Sequence, residues 1–303
     1  MGTKRRSTEA DCGQSNGALK RPFAMGGEAD AVMTPDQQQA DAISEDLAQI
    51  ALKAGRLLQM LQAAAGNHRI KSDGSPTTQA DLAAEHLIIE ALGEMWPGIP
   101  VIAEETSNAE QPDKFFFLVD PLDGTRDYIS GTGEYSVNIA LVQGDRPIAS
   151  VVSAPALGRI WIAGQTAREG NIPDQGGSIA WKSVRVRPAP GDDLIALMSR
   201  RHGDTATEAC LATLSIGTRR MASSSVKFCL IASGEADVYV RCGPTMEWDT
   251  AAGDHILSSA GGCVIGVGGT VLTYGHEDRG YRNGAFAALG DSALAPQLSL
   301  RLS

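Results

Sequence analysis

The chain predicts an α/β fold, α+β in the way its strands and helices mix, and three observations predict it. Apolar residues recur at three- and four-residue steps after about residue 40. Short β-like apolar runs follow from Val101, and from about residue 186 strand-like and helix-like segments alternate with no internal repeat. The 303 residues, 43% of them hydrophobic, supply apolar surface for one large core or two modest ones.

Residues 1–40 are rich in Gly, Ser, Gln, Asp and Ala and lack apolar periodicity, which reads as a disordered tail. Lys4, Arg5 and Arg6 are not followed by an apolar stretch, so no secretory signal is expected. Order is expected from near Ser44, a candidate cap. The helix it opens carries Leu47, Ile50, Ala51, Ala54, Leu57, Leu58 and Leu61 on one face and ends around Gly66. After the polar turn Lys71–Pro76, a second helix should point Ala84, Leu87, Ile88, Ala91 and Leu92 inward, with Pro97 and Pro100 closing the unit. Strands are expected at Val101–Ala103, Phe115–Val119, Val137–Val142 and Ile148–Ser153, and a Gly-rich surface turn over 164–180. Then come a strand at Leu194–Met198, a helix at Thr205–Leu214, a helical stretch at Ser223–Ser233 and a strand at Ala236–Arg241. A last helix at Thr250–Ala260 should stop at Gly261-Gly262.

A formal charge of −10 argues against nucleic acid as a partner and against a surface made for acidic lipids. It fits carboxylates gathered around metal ions, although solubility is the commoner reason for net negative charge. The five cysteines form no C-x-x-C pair and are odd in number, so neither a zinc site nor a disulfide framework is expected, and a reducing compartment is. No run of 18 apolar residues exists to span a membrane.

Three acidic clusters stand at strand ends or helix starts: Glu104-Glu105, Asp120-Pro-Leu-Asp123, and Trp248-Asp249. Any one could be an N-cap or turn residue. Together they suggest carboxylates converging at one sheet edge, where ligands bind. Mg²⁺ takes hard oxygen ligands, and four or more carboxylates point to more than one ion. Gly124-Thr125 could open a helix whose amides cradle a phosphate, or be an ordinary turn. Thr78-Gln-Ala-Asp81 has capping-box spacing, so by spacing alone Asp81 reads as a cap.

Four separated blocks resemble the inositol monophosphatase superfamily: Lys71–Asp81, Val101–Thr106, Leu118–Thr125 and Gly243–Gly253. A fifth, Ser223–Leu230, is similar to its CysQ-type 3′(2′),5′-bisphosphate nucleotidase branch. The resemblance covers roughly residues 42–290. It implies the layered α-β-α-β-α sandwich of the inositol monophosphatase and fructose-1,6-bisphosphatase type. It also implies two or three Mg²⁺ ions held by Asp81, Glu104, Asp120, the Leu122 carbonyl, Asp123 and Asp249, and inhibition by Li⁺. Asp81 thereby changes from cap to functional residue. Asp81, Glu104 and Thr125 would be catalytic, with Thr125 and Glu104 orienting a metal-activated water for direct hydrolysis. Substrate contacts would come from Leu122, Asp123, Gly124, Thr125, His202, Ser224, Lys227, Arg241 and Asp249. For Lys227 and Arg241 the competing expectation is a solvated or salt-bridged surface charge.

The implied organisation is a tail over 1–40, an N-terminal α+β metal-binding domain over 41–185 and a C-terminal α/β substrate-recognition domain over 186–303. The implied reaction converts 3′-phosphoadenosine 5′-phosphate, or its phosphosulfate, to AMP or adenylyl sulfate and phosphate, within sulfur metabolism. Its nearest rival is an inositol- or sugar-phosphate phosphatase on the same scaffold, and a rival of another class is a non-catalytic nucleotide- or metal-binding regulator. A small phosphorylated nucleotide is the expected partner. The location is expected to be cytoplasmic, with peripheral inner-membrane association resting on the resemblance alone, and oligomeric state stays open between monomer and homodimer. Two departures stand out. Ala103 replaces a Ser common before the acidic pair, and Arg126-Asp-Tyr128 replaces a Lys-Glu-Phe common in the branch.

Overall fold

In the computed structural model, residues 37–64, 68–71, 74–106, 114–174, 177–200 and 204–298 are described. Of the tail expected over 1–40, residues 1–36 lie outside them, and Gln37–Ala40 belong to the first helix. The chain enters through helix α1 (Gln37–Leu61). It begins before Ser44, whose hydroxyl donates back to the Asp41 carbonyl from inside the helix and caps nothing. A small hairpin of β1 (His68–Ile70) and β2 (Pro76–Thr78) leads into α2 (Gln79–Met95). There Leu87 and Ala91 are half-buried at the rim, and the fully inward face is Ala84, Ile88 and Leu92.

The first large sheet has seven strands in consecutive order. They are β3 (Val101–Ala103), β4 (Phe115–Asp123), β5 (Ser136–Gln143), β6 (Arg146–Ala154), β7 (Arg159–Ala163), β8 (Ala167–Asn171) and β9 (Lys182–Ser183). β8 takes up five residues of the 164–180 region expected to be a surface turn, and β9 follows just after it. The polar run Ala167–Asn171 gave no apolar alternation to read, but it pairs residue for residue with β7. A single-turn helix, α3 (Thr125–Ile129), follows β4. The second sheet, ordered β11-β10-β12-β16-β14, holds β10 (Leu194–Met198), β11 (Ile216–Met221), β12 (Val238–Arg241), β14 (Cys263–Gly266) and β16 (Phe286–Leu289). The helices of this half are α4 (Thr205–Leu211), α5 (Val226–Ala232), α6 (Glu247–Ser259) and the short α7 (Ala295–Leu298). A two-stranded ribbon of β13 (Thr245–Met246) and β15 (Arg282–Asn283) braces the start of α6.

Three cores make the layers. α1 and α2 bury Leu47, Ile50, Leu58, Ile88 and Leu92 against one face of the first sheet. α5 and α6 fill the space between the sheets with Phe228, Ile231, Trp248, Ile256 and Leu257. α4 and α7 cover the far face of the second sheet with Leu211 and Leu298. The result is the expected α-β-α-β-α sandwich. Strand β4 shows why Phe115–Val119 is apolar without a break. Phe115, Phe117 and Val119 face the outer helices, while Phe116 and Leu118 face the central layer. A strand covered on both sides needs apolar residues at both phases of its pleat.

Candidate active site

The acidic clusters meet because of strand register. β3 and β4 run parallel with Ala103 opposite Val119, so Glu104 and Asp120 leave the same sheet edge side by side. The Glu104 amide donates to the Val119 carbonyl at 3.2 Å, fixing that pairing. The β4–β5 ladder loses regular register between Asp120 and Asp123, which swings the second carboxylate toward the central layer. Gly124 then takes φ 96°, open to glycine, and α3 begins. A Cβ there would lie 3.0 Å from the Glu134 carbonyl.

Asp249 arrives on α6. The sequence places it just before a helix, whereas it sits in the helix's first turn, since α6 starts at Glu247. Its Oδ2 accepts from the Met246 amide at 2.9 Å, so it caps its own helix and faces the site together. Asp81 does the same in α2. Its Oδ2 accepts from the Thr78 amide, which completes a capping box, and its Oδ1 meets the Thr125 hydroxyl at 3.1 Å. Capping α2 and meeting Thr125 are therefore served by different oxygens of one carboxylate. The Thr125 hydroxyl also lies 3.2 Å from the Leu122 carbonyl.

The electrostatics are those of crowded, desolvated acids. Burial, then the charges of Glu104, Asp123 and Asp249, hold Asp120 well above the carboxylate range. Burial raises Glu104 to about 7, against the pull of Lys71. Burial and then Asp123 raise Asp249 to about 8, and burial raises Asp81. Lys71 partly compensates. Its ammonium sits 2.7 Å from both Glu104 Oε1 and Glu105 Oε1.

These groups fit a hard divalent cation. Glu104, Asp120, Asp123 and Asp249 each engage a protein donor: Lys71, the Leu122 amide, Ser225 and the Met246 amide. Beside them the buried Asn138 Oδ1 has no hydrogen-bond partner among the described residues. All are oxygen donors, the set that Mg²⁺ takes, and their mutual repulsion is what a cation relieves. As placed, no three Asp, Glu, His or Cys side chains among the described residues are grouped so as to hold a metal ion by themselves. Mg²⁺ characteristically completes its shell with water and substrate oxygens.

The residues expected to contact substrate are partly gathered. Lys227 is buried in α5, not solvated, and forms no salt bridge among the described residues. Its ammonium donates to the Ser224 carbonyl at 2.7 Å and lies 4.7 Å from the Tyr239 ring centre. Burial lowers it to about 8, with Asp123 opposing and Arg241 adding to the shift. Arg241 ends β12 and donates to the carbonyls of Gly243 and Pro244. Ser224 has φ 56°, and its buried hydroxyl has no partner among the described residues. His202 lies outside the described residues.

Sequence reasoning passed over Lys71, Ser225 and Asn138. Asn138 had a signal, as a lone amide inside Val137–Val142. Ser225 had none, because three serines in a row do not say which one faces the site. Arg126, one of the departures, donates to the Gly74 carbonyl at 2.9 Å and ties α3 to the loop before β2.

The family model described as the inositol monophosphatase family matches residues 36–298. A Salmonella typhimurium protein named 3′(2′),5′-bisphosphate nucleotidase CysQ is 37% identical over 235 residues, covering 76% of this chain and 93% of its own. The Escherichia coli K12 protein of the same name is 38% identical over 207 residues, covering 67% and 81%. Among solved structures, CysQ from Bacteroides thetaiotaomicron superposes with TM-score 0.69 at 33% identity over 82% of this chain and 97% of its own. A Thermotoga maritima inositol monophosphatase reaches the same TM-score at 19% identity over 86% and 96%, a likeness of fold alone.

Proposed function

The chain belongs to the inositol monophosphatase family, and from that premise we propose a Mg²⁺-dependent phosphomonoesterase acting on 3′-phosphoadenosine 5′-phosphate, giving AMP and phosphate, with the phosphosulfate as a second substrate. The observation that carries the reaction is the convergence of Glu104, Asp120, Asp123 and Asp249 beside the Thr125–Asp81 pair. The nucleotide is supported by the relatives named as bisphosphate nucleotidases, whose likeness spans most of both chains.

Asp120, Asp123, Asp249, Glu104 and the Leu122 carbonyl would hold the ions, with Asp81 helping to place a further one. When bound, Mg²⁺ supplies charge for the phosphoryl oxygens and the leaving group and makes water more acidic. The chain's own part is positioning, which dominates phosphoryl transfer. Thr125 directs its proton toward Asp81 or the Leu122 carbonyl, so its oxygen is left to accept from a water. Glu104, oriented by Lys71 at 2.7 Å, would face that water as its base. Lys227 and Arg241 form the positive flank for the second phosphate of the nucleotide. In this reading Lys227 has to leave the Ser224 carbonyl or act through it. The site would work with two or three ions, and Li⁺ would inhibit by competing for one position.

Among the described residues no helix is long and apolar enough to cross a membrane. The test is phosphate release with Mg²⁺ from the adenosine bisphosphate and from inositol 1-phosphate, side by side. Preference for the bisphosphate is expected. Equal or faster turnover of the inositol ester would return the chain to the general sugar- and inositol-phosphate reading.

A further inference from the structure

Three candidates lie outside the residues already given roles. The thiols of Cys210 and Cys242 approach to 3.8 Å, and an apolar groove along α2 is lined by Leu82 and Ile89. The third is a buried polar junction at the start of α5, where most contacts converge.

Ser225 is 1% exposed and stands where four elements meet. Its amide donates to Asp123 Oδ2 at 2.6 Å. Its hydroxyl lies 2.8 Å from that same oxygen and 2.6 Å from the backbone carbonyl of Asp249. Asn138 Nδ2 donates to the hydroxyl oxygen at 2.8 Å and approaches Asp123 Oδ2 at 3.4 Å. One residue thus joins β4, β5, α5 and α6, and two of its partners are carboxylate residues of the site. The hydroxyl has one proton to share between two acceptors. Since the amide already serves Asp123, the hydroxyl proton is available to the Asp249 carbonyl, and Ser225 as a whole links that carboxylate to the backbone of Asp249. Elsewhere α5 and α6 meet through apolar packing, such as Phe228 against Gly253, which slides more easily than a directed hydrogen bond.

We propose that Ser225 is a positioning residue that sets Asp123 in register with Asp249, with Asn138 orienting its hydroxyl, so that the two carboxylates present one site to a divalent cation. The inference rests on the metal-site reading above. Partners that orient ligands from behind change metal affinity roughly tenfold to a hundredfold when removed.

The test is calorimetric Mg²⁺ binding to the full chain without substrate, for the wild type, Ser225→Ala, Ser225→Thr, Asn138→Ala and Asp123→Asn, with urea unfolding of each in EDTA. Ser225→Ala is expected to weaken Mg²⁺ binding by about tenfold or more. Ser225→Thr, which keeps the hydroxyl, should recover most of that loss, and Asn138→Ala should weaken binding in the same direction by less. With saturating Mg²⁺, kcat of Ser225→Ala should fall while KM for the bisphosphate stays nearly constant. Lower stability with unchanged Mg²⁺ affinity would reduce Ser225 to a structural hydrogen bond and overturn the proposal. A rise in KM with kcat intact would do the same by making Ser225 a substrate contact. Wild-type affinity in Asp123→Asn would remove the metal site itself. Loss in Asp123→Asn with none in Ser225→Ala would remove the role of Ser225 alone. If Ser225→Ala does not fold, Asn138→Ala decides, because unchanged affinity there contradicts the orienting role.

Discussion

Gly253 closes the Trp-Asp-Thr-Ala-Ala-Gly run of α6, and replacing it with alanine sets two effects against each other. Alanine favours a helix interior over glycine by about 1 kcal/mol. The added Cβ, however, would stand 2.6 Å from Phe228 Cδ2 and 2.7 Å from Cγ, against roughly 3.5–4.0 Å for an ordinary carbon contact. The ring has nowhere to retreat. It stacks on Phe286 with ring centres 5.7 Å apart and meets Tyr239 edge-on at 5.7 Å. Relief therefore requires α6 to move off α5 by about 1 Å, at the usual overpacking cost of about 1–3 kcal/mol. Packing should win, leaving Gly253→Ala up to about 2 kcal/mol less stable in urea unfolding. Because α6 carries Asp249 and α5 abuts Asp123, the same movement should weaken Mg²⁺ binding. Phe228→Leu in the Gly253→Ala background should recover part of both losses, read as a double-mutant cycle. A stabilised Gly253→Ala variant with unchanged Mg²⁺ affinity would refute the reasoning, since helix propensity would then have outweighed the contact.

Asp123→Asn should lower phosphate release by roughly a hundredfold or more while circular dichroism and thermal unfolding stay close to wild type; a near-normal rate would sink the ligand assignment. Lys227→Met, which keeps the apolar stem, should raise KM for the bisphosphate several-fold more than for a simple monophosphate, and equal changes would remove Lys227 from the second-phosphate flank. His255, whose Nδ1 lies 3.0 Å from the Ser150 hydroxyl, is lowered to about 3 by burial and then by Arg146. It stays neutral in the folded chain while the unfolded chain takes up a proton below about pH 6.5. Its contribution is complete above that pH and declines as pH falls toward 3, by at most about 1.4 kcal/mol per unit. Urea midpoints between pH 7 and 5 should therefore fall less steeply for His255→Gln than for wild type, and parallel slopes would contradict the shift.

Much of this architecture is legible in local pattern. The apolar run at Phe115–Val119 announces a strand, and the spacing from Leu47 to Leu61 announces the outer helix. Elements that gave no pattern were those whose pairing is set by neighbours. β8 is polar and held by β7, and Ser44 looks like a cap because helix starts are judged from a few residues. At the site, the acidic residues were visible as types and positions. Their partners were less visible. Lys71 lies in a quoted block but pairs with Glu104, 33 residues on, and Asn138 is one amide in a strand.

By itself the sequence determined which residues are acidic, that they stand at element ends, and the family they resemble. Only the tertiary structure decided that the parallel register of β3 and β4 sets Glu104 beside Asp120, that Asp81 and Asp249 cap helices with one oxygen and face the site, and that Ser225 rather than its neighbours joins Asp123 to Asp249. The physical reason is range. Capping and periodicity are settled within a few residues of chain. A carboxylate's burial, its charge partners and the donor it accepts from depend on segments tens to more than a hundred residues away, brought together only when the layers pack.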